Sequence, residues 1–376
     1  MARLSFLCCH LTGTGHLVRI LRLAGTARAR GHEVQVISGG RPLDHLDRDG
    51  IAFVQLPHVI VKALEFSILR SPDGALVSDA YMDDRRSVMV EALRQFNPDA
   101  LLTELFPFGR RVLAPEFLTA ITTVRGMGTG RRILCSVRDV PEPKPKRIDE
   151  TAERLTGHFD GVVVHGDADF LPLTVTWPLP PKAASLLHHT GYMGRSILPG
   201  PEARDGTVLV AAGGGVLGRF LLEAAAQASR IGTLHWHILC GGADGTEVAA
   251  KLTERFGHPR VRLEAARPDY LDLVQRAGCA VTLAGYNTAV ELAGLTIPVI
   301  LVPSEEADEK EQLIRAERFA GFDGFDLMRE RDLTAAALAE RAETLATGSG
   351  RAPVPLQIDD GTRAVQRIEH LLGTSP

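Results

Sequence analysis

Short apolar runs alternate with amphipathic stretches from one end of this 376-residue chain to the other. An apolar run of about four to eight residues, bounded by glycine or polar turn residues, reads as a buried strand. When a strand, an amphipathic helix and another strand follow in succession, the crossover helix makes the two strands parallel. The fold class is therefore α/β, built from doubly wound parallel sheets with helices on both faces. The runs fall into two blocks. The first holds "LSFLCC" (4–9), "EVQVIS" (33–38), "IAFVQL" (51–56), "ALLTE" (100–104), "RILCSV" (132–137) and "GVVVHG" (161–166), with helices predicted over 16–30 and 148–156. The second holds "TVLVAA" (207–212), "LHWHILC" (234–240), "VRLEA" (261–265), "CAVTLA" (279–284) and "PVILVP" (298–303). Helices are predicted there near 217–229, 246–256, 268–277, 287–294 and 309–320.

Between the blocks, residues 172–206 are irregular and rich in proline, which neither continues a helix nor donates to a strand ladder. The boundary is placed there, giving an N-terminal domain over 1–200, a C-terminal domain over 201–350 and a tail helix within 351–376. The stretch "PEPKPKR" (141–147) is expected to be a stiff, exposed loop. "HVIVKALEFSIL" (58–69) is expected to form an amphipathic helix that covers the core, or that meets a lipid-linked acceptor.

With 42 Lys and Arg against 46 Asp and Glu, the net charge of −4 provides no general attraction to nucleic acid, so no nucleic-acid partner is expected. The apolar start is too short for a secretory segment, and no later run reaches the roughly 18 apolar residues of a membrane span. A cytoplasmic protein is expected, at most peripheral at the inner face of a membrane. Cys8, Cys9, Cys135, Cys240 and Cys279 sit in or beside strand runs without metal-ligand spacing, and read as reduced core residues.

The first glycine loop, "GTGH" (13–16), follows the first strand. Gly13 and Gly15 are expected to form its tight turn, and the helix from His16 to aim its N-terminal amides at the crevice. A dinucleotide fingerprint needs a third glycine at position 18 and an acid after the second strand. The chain has Val18, and Ser38, Gly39, Gly40 and Arg41 instead. The loop therefore brings a histidine to the sheet's carboxyl edge, where His16 can act as a general base or merely bond a strand carbonyl. Glu104, Asp139 and His165 also stand at strand ends. Of these, Glu104 can orient His16 or act as base itself, and Arg110 and Arg111 can meet an anionic acceptor.

In the second block, Gly213, Gly214 and Gly215 lie between a strand and a helix, as a diphosphate cradle requires, and no P-loop Lys follows them. Further on, "AGYNTAVELAG" places Asn287 at a strand end, with Thr288 and Glu291 spaced as a capping box. The same spacing sets a carboxylate where it can accept both hydroxyls of a ribose. Glu311 and Gln312 then open a charged helix.

"GTGHLVRILRLAGTARARGHEVQVISGG" resembles the N-terminal motif of inverting GT-B glycosyltransferases of the family 28 type, and the likeness extends to related nucleotide-sugar hydrolases with G-x-G-H-x-x-R, where Arg19 fills the last position. The second block is similar at "GYNTAVE", and the middle of the chain looks closest to a poorly characterised group of predicted family 28-like transferases. The resemblance implies two Rossmann-like domains facing a central cleft. It assigns His16 as catalytic base, Glu291 as ribose contact, and the glutamine pair that meets the donor sugar to Glu311 and Gln312, the first of them replaced. The implied reaction is inverting and metal-independent, with no cofactor. It moves a sugar from a nucleoside-diphosphate sugar, expected to be a UDP-sugar, to an acceptor hydroxyl on a lipid-linked or small molecule. The alternatives are a nucleotide-sugar hydrolase using the same histidine, an epimerase, a non-catalytic nucleotide-sugar-binding protein and an NADP-binding module.

Overall fold

The computed structural model describes the chain except residues 12–13, 45, 63–64, 142–143, 195–203, 214–217, 306–309, 349 and 374–376, and the side chain of residue 289. The chain forms two compact units, Met1–Met193 with Gln357–Pro376, and Gly194–Leu356.

Unit 1 begins with β1 (Arg3–Cys8), α1 (Gly15–Ala29), β2 (Glu33–Ser38), β3 (Ala52–Gln55), α2 (Asp79–Phe96) and β4 (Ala100–Glu104). It continues with α3 (Ala114–Arg125), β5 (Arg132–Arg138), α4 (Ile148–His158), β6 (Gly161–His165), α5 (Pro181–Ala184), β7 (Leu187–His189) and β8 (Tyr192–Met193). Seven parallel strands run in the order β3-β2-β1-β4-β5-β6-β7. The winding therefore reverses between β1 and β4, and in open α/β sheets ligands bind at the carboxyl ends of strands at such a reversal. The pleat of β1 divides two cores. Leu4, Phe6 and Cys8 pack with Leu17, Ile20 and Leu23 of α1, while Leu7 and Cys9 pack with Met89 of α2 and Phe117 of α3.

Unit 2 holds β9 (Val208–Ala211), α6 (Arg219–Ala228), β10 (Trp236–Cys240), α7 (Gly245–Phe256), β11 (Val261–Ala265), α8 (Tyr270–Arg276) and β12 (Cys279–Thr282). Then come α9 (Tyr286–Ala293), β13 (Val299–Leu301), α10 (Glu311–Phe319), β14 (Phe325–Leu327) and α11 (Ala335–Ala346). Its parallel sheet runs β11-β10-β9-β12-β13-β14, the same winding, with its reversal between β9 and β12.

The chain then returns to unit 1 as β15 (Ile358–Asp359), paired with β8, and α12 (Thr362–Leu372). The tail helix expected within 351–376 forms over Thr362–Leu372. Residues 351–356 stay with unit 2, where the buried Arg351 donates from Nε to the Ile297 carbonyl at 2.8 Å. From Gln357 onward the chain completes the core beside α1, where Ala364, Val365 and Ile368 are buried. Glu369 fixes the helix by accepting from Arg30 Nη2 at 2.7 Å and pairing with His32 Nε2 at 3.0 Å.

The strands expected from the apolar runs form. β7 arises in a stretch read as irregular, because three residues with two histidines carry no apolar signature. No helix forms among the described residues of 58–69. Val59 and Leu69 are buried there, and Ile60 bridges Arg70 in antiparallel fashion, so the apolar residues anchor a loop. Within 141–147 the described residues include a single 3-10 turn, Pro145–Arg147. All five cysteines are buried and free. Among the described residues, no helix is long and apolar enough to cross a membrane.

Candidate functional site

At the reversal point of unit 1, β1 leads into α1 and β4 ends at Glu104. Gly13 lies outside the described residues. Gly15 is the first residue of α1; a Cβ there would meet nothing within 4 Å, so neither crowding nor backbone conformation requires glycine at that position. His16 follows it. Its Nδ1 lies 2.6 Å from Oε1 of Glu104, whose side chain is fully buried, whereas the histidine side chain keeps 14% of its surface exposed. Arg19, one turn further along α1, donates from Nη2 to the same oxygen at 2.5 Å. The G-x-G-H-x-x-R likeness marked Arg19 as a motif residue beside His16, but the spacing alone did not show that both end on one carboxylate oxygen.

Burial raises Glu104, but His16 and the guanidinium groups of Arg19 and Arg110 outweigh it and hold the carboxyl well below the usual carboxylate range. Glu104 is therefore an ionised acceptor. Burial, reinforced by Arg110 and Arg138, brings His16 down to about 3 against the opposing pull of Glu104. A neutral imidazole facing a carboxylate carries its proton on the near nitrogen, which here is Nδ1. Nε2 then holds the lone pair, and the contact with Glu104 fixes the orientation of the ring.

The remaining candidates of unit 1 also lie at or beyond strand ends, in surroundings of their own. Asp139 is buried, accepting from the Val140 amide at 2.8 Å and from the Tyr192 hydroxyl at 3.3 Å. His165 lies 2.7 Å from the Ser136 hydroxyl through Nε2, and burial holds it near 3. Arg110 has a left-handed backbone with φ 59°, and Arg111 sits 3.5 Å from Glu150.

At the reversal point of unit 2, Gly213 follows β9 with φ +70°, a conformation that favours glycine. Gly214 and Gly215 lie outside the described residues. Gly218, which the sequence reading passed over, is sterically required: a Cβ there would stand 2.3 Å from Cβ of Ala212. Across the reversal, Thr282 on β12 donates to the Ala211 carbonyl at 2.7 Å.

The expected capping box does not form. α9 starts at Tyr286 behind Gly285, no side chain caps it, and Thr288 and Glu291 are its third and sixth residues. Asn287, expected at a strand end, is likewise inside the helix and exposed. Glu291 is half-buried and close enough to Tyr270 for its charge to add to the effect of burial in raising that phenol. Glu311 opens α10 but faces inward. It accepts from the buried Arg315 at 2.9 Å, and Arg315 also donates to the Ala284 carbonyl at 2.6 Å. Glu311 thus supports the loop before α9. Gln312 accepts from the Ser304 amide at 3.3 Å through its carbonyl oxygen.

The chain holds two Asp-x-Asp tripeptides, 47–49 and 167–169. Asp47 accepts from the Asp49 amide at 2.9 Å, and Asp167 from the Asp169 amide at 3.0 Å and the Gln357 amide at 3.0 Å. Both form local turns, and among the described residues no group of three His, Cys, Asp or Glu side chains is placed to hold a metal ion.

Residues 207–355 match the glycosyltransferase family 28 C-terminal domain. Unit 2 thus carries a family 28 C-terminal domain. Two curated relatives are named UDP-N-acetylglucosamine--N-acetylmuramyl-(pentapeptide) pyrophosphoryl-undecaprenol N-acetylglucosamine transferase. One, from Synechococcus sp. strain JA-2-3B'a(2-13), is 35% identical over 94 residues, covering 25% of each chain. The other, from Synechococcus sp. strain JA-3-3Ab, is 32% identical over 145 residues, 39% of this chain and 38% of the relative. The matches thus span well under half of these relatives' length. Likeness of fold covers more of the chain. The solved structure of Acinetobacter baumannii MurG aligns with TM-score 0.59 at 15% identity, over 100% of this chain and 96% of that one. CalG4, the calicheamicin glycosyltransferase, aligns with TM-score 0.59 at 17% identity over 100% and 95%. The family 28 match falls on unit 2, while His16 and Glu104 belong to unit 1.

Proposed function

We propose that this chain is an inverting glycosyltransferase that moves a sugar from a nucleoside-diphosphate sugar, with UDP the first candidate nucleotide, to an acceptor hydroxyl. The observation that carries the reading is the His16–Glu104 pair at 2.6 Å on the carboxyl edge of unit 1, in a chain whose second unit is a family 28 domain. In the proposed reaction the acceptor oxygen attacks the anomeric carbon as its proton passes to Nε2 of His16. The new carbon–oxygen bond forms as the bond to the diphosphate breaks, and the nucleoside diphosphate leaves with the electron pair. A single in-line displacement inverts the anomeric centre. Gly213, directly after β9, is the proposed start of the diphosphate contact through backbone amides, and Glu291 is the proposed ribose acceptor. Such amides and a helix dipole can stabilise a leaving diphosphate without a cation, which supports a metal-independent route. The acceptor is proposed to be a small or lipid-linked molecule.

The same histidine can deprotonate water, which favours a hydrolase as the second reading. The test is nucleoside diphosphate release from a panel of nucleotide sugars, with and without sugar and lipid-linked hydroxyl acceptors. Acceptor-stimulated release that His16→Ala abolishes is expected. Release indifferent to every acceptor, with free sugar as product, supports the hydrolase instead.

A further inference from the structure

Arg19 has no place in the proposed chemistry, yet it is buried, with 6% of its side chain exposed, and ends on the oxygen that His16 uses. Residues three apart on a helix share a face, so α1 delivers His16 and Arg19 together to the end of β4. Both reach Oε1 of Glu104, at 2.6 and 2.5 Å, and Arg19 Nη2 stands 3.4 Å from His16 Nδ1. A carboxylate facing a histidine alone draws a proton onto the ring, because the ion pair is the favoured state. A carboxylate that already has a guanidinium partner does not need that proton.

We propose that Arg19 is a positioning residue that reserves His16 as a neutral base: by neutralising Glu104 through the shared oxygen, it leaves the carboxylate able to orient the imidazole without protonating it. The surrounding groups act in the same direction. Arg110, after β4, and Arg138, at the end of β5, disfavour a charged imidazole. His165, at the end of β6, feels both Arg19 and Glu104, and it is itself neutral through burial. Cys8, at the end of β1, is buried and held as the thiol. Burial is the largest influence that keeps the ring neutral and Glu104 is the group that opposes it, and Arg19 holds the very oxygen through which Glu104 acts.

The proposal rests on the reading of His16 as the base, but its test uses the substrate-free full chain and so fails or stands separately from any activity. The measurement is a histidine NMR titration with His16 assigned by its loss in His16→Gln. In the wild type the His16 signal should not titrate above about pH 5, and a midpoint near the ordinary 6.5 would overturn the proposal. Arg19→Gln should move the midpoint above about 6, a rise of at least tenfold in proton affinity. Arg19→Gln combined with Glu104→Gln should return the ring to silence. A silent ring in folded Arg19→Gln, or a titrating one in the double variant, would overturn the proposal. Arg19→Lys, which keeps a cation within reach of Oε1, serves if the glutamine variant does not fold: silence is expected, and titration near 6.5 contradicts the proposal.

Discussion

Nδ1 of His16 and Oε1 of Glu104 lie 2.6 Å apart although 88 residues separate them in the chain. The contact exists because the winding reversal sets the ends of β1 and β4 side by side, so that the first turn of α1 and the last residue of β4 meet. Its chemical consequence is directional. Nδ1 keeps its proton and donates it in a hydrogen bond to the carboxylate, which leaves Nε2 as the nitrogen able to accept one.

Two substitutions separate orientation from proton transfer. His16→Ala is expected to lower turnover by about 10²- to 10⁴-fold, the usual contribution of a general base, with nucleoside diphosphate affinity unchanged. Glu104→Gln can offer an amide hydrogen to Nδ1 and so favours the wrong tautomer. It should also lose activity, and ¹⁵N NMR should show the ring proton moving from Nδ1 to Nε2. A wild-type ring protonated on Nε2 would contradict the assignment.

Stability should fall with acid, and the sign follows from the two buried histidines. Burial holds His16 and His165 to about 3, so below about pH 6.5 the unfolded chain binds protons that the folded one refuses. Each can remove up to about 1.4 kcal/mol per pH unit as pH falls from about 6.5 toward 3. Glu104, depressed in the folded state, adds a loss in the same direction at lower pH. The two tryptophans fall one in each unit, Trp177 in unit 1 and Trp236 in unit 2. Urea unfolding of Trp236→Phe, followed by Trp177 fluorescence, should give a midpoint that is constant above about pH 7.5 and falls below 6.5. A midpoint flat down to pH 5 would exclude this account.

Arg85 and Glu116 form a fully buried bidentate pair, with Nε at 2.9 Å and Nη2 at 2.8 Å, and Arg85 also donates to the Gly39 carbonyl at 3.0 Å. Removing one partner leaves an uncompensated buried charge, so Arg85→Met should cost unit 1 about 3 to 5 kcal/mol. Arg85→Met combined with Glu116→Leu should recover most of that loss in urea titrations. Equal destabilisation by the single and double variants would mean that the backbone contacts of Arg85 dominate.

The returning helix α12 is predicted to belong energetically to unit 1. Ile368 is fully buried in the core beside α1, and Ile368→Ala should destabilise that unit by about 2 to 5 kcal/mol. The loss should be seen in the Trp177 transition and not in the Trp236 transition. A shift confined to Trp236 would contradict the assignment of residues 357–376.

Patterns that repeat along the chain were legible in the sequence. The buried strands carried the apolar runs, and both reversal points fell where glycine and polar residues end those runs. His16 and Glu104 were legible as strand-end residues, but their distance was not, because it depends on which strands neighbour each other. The capping box was misread because Thr288 and Glu291 have the right spacing one helical turn too late; the backbone of Gly285 starts the helix before them. Glu311 looked solvated amid charged neighbours, yet Arg315, itself fully buried, draws it inward. Gly218 carried no sequence signal, since its need arises from contact with Ala212. The return of α12 to unit 1 was equally hidden: the helix showed its apolar stripe but not which sheet it covers.

The central claim assigns nucleotide binding to unit 2 and proton transfer to His16. Calorimetry of UDP, GDP, dTDP and NADPH against the wild type, Glu291→Ala and His16→Ala tests it most directly. The account predicts that one nucleoside diphosphate binds, that Glu291→Ala weakens it by about 1 to 3 kcal/mol as loss of a charged hydrogen-bond partner should, and that His16→Ala leaves it unchanged. Binding of NADPH alone, binding of none of the four, or equal weakening by both substitutions would contradict it.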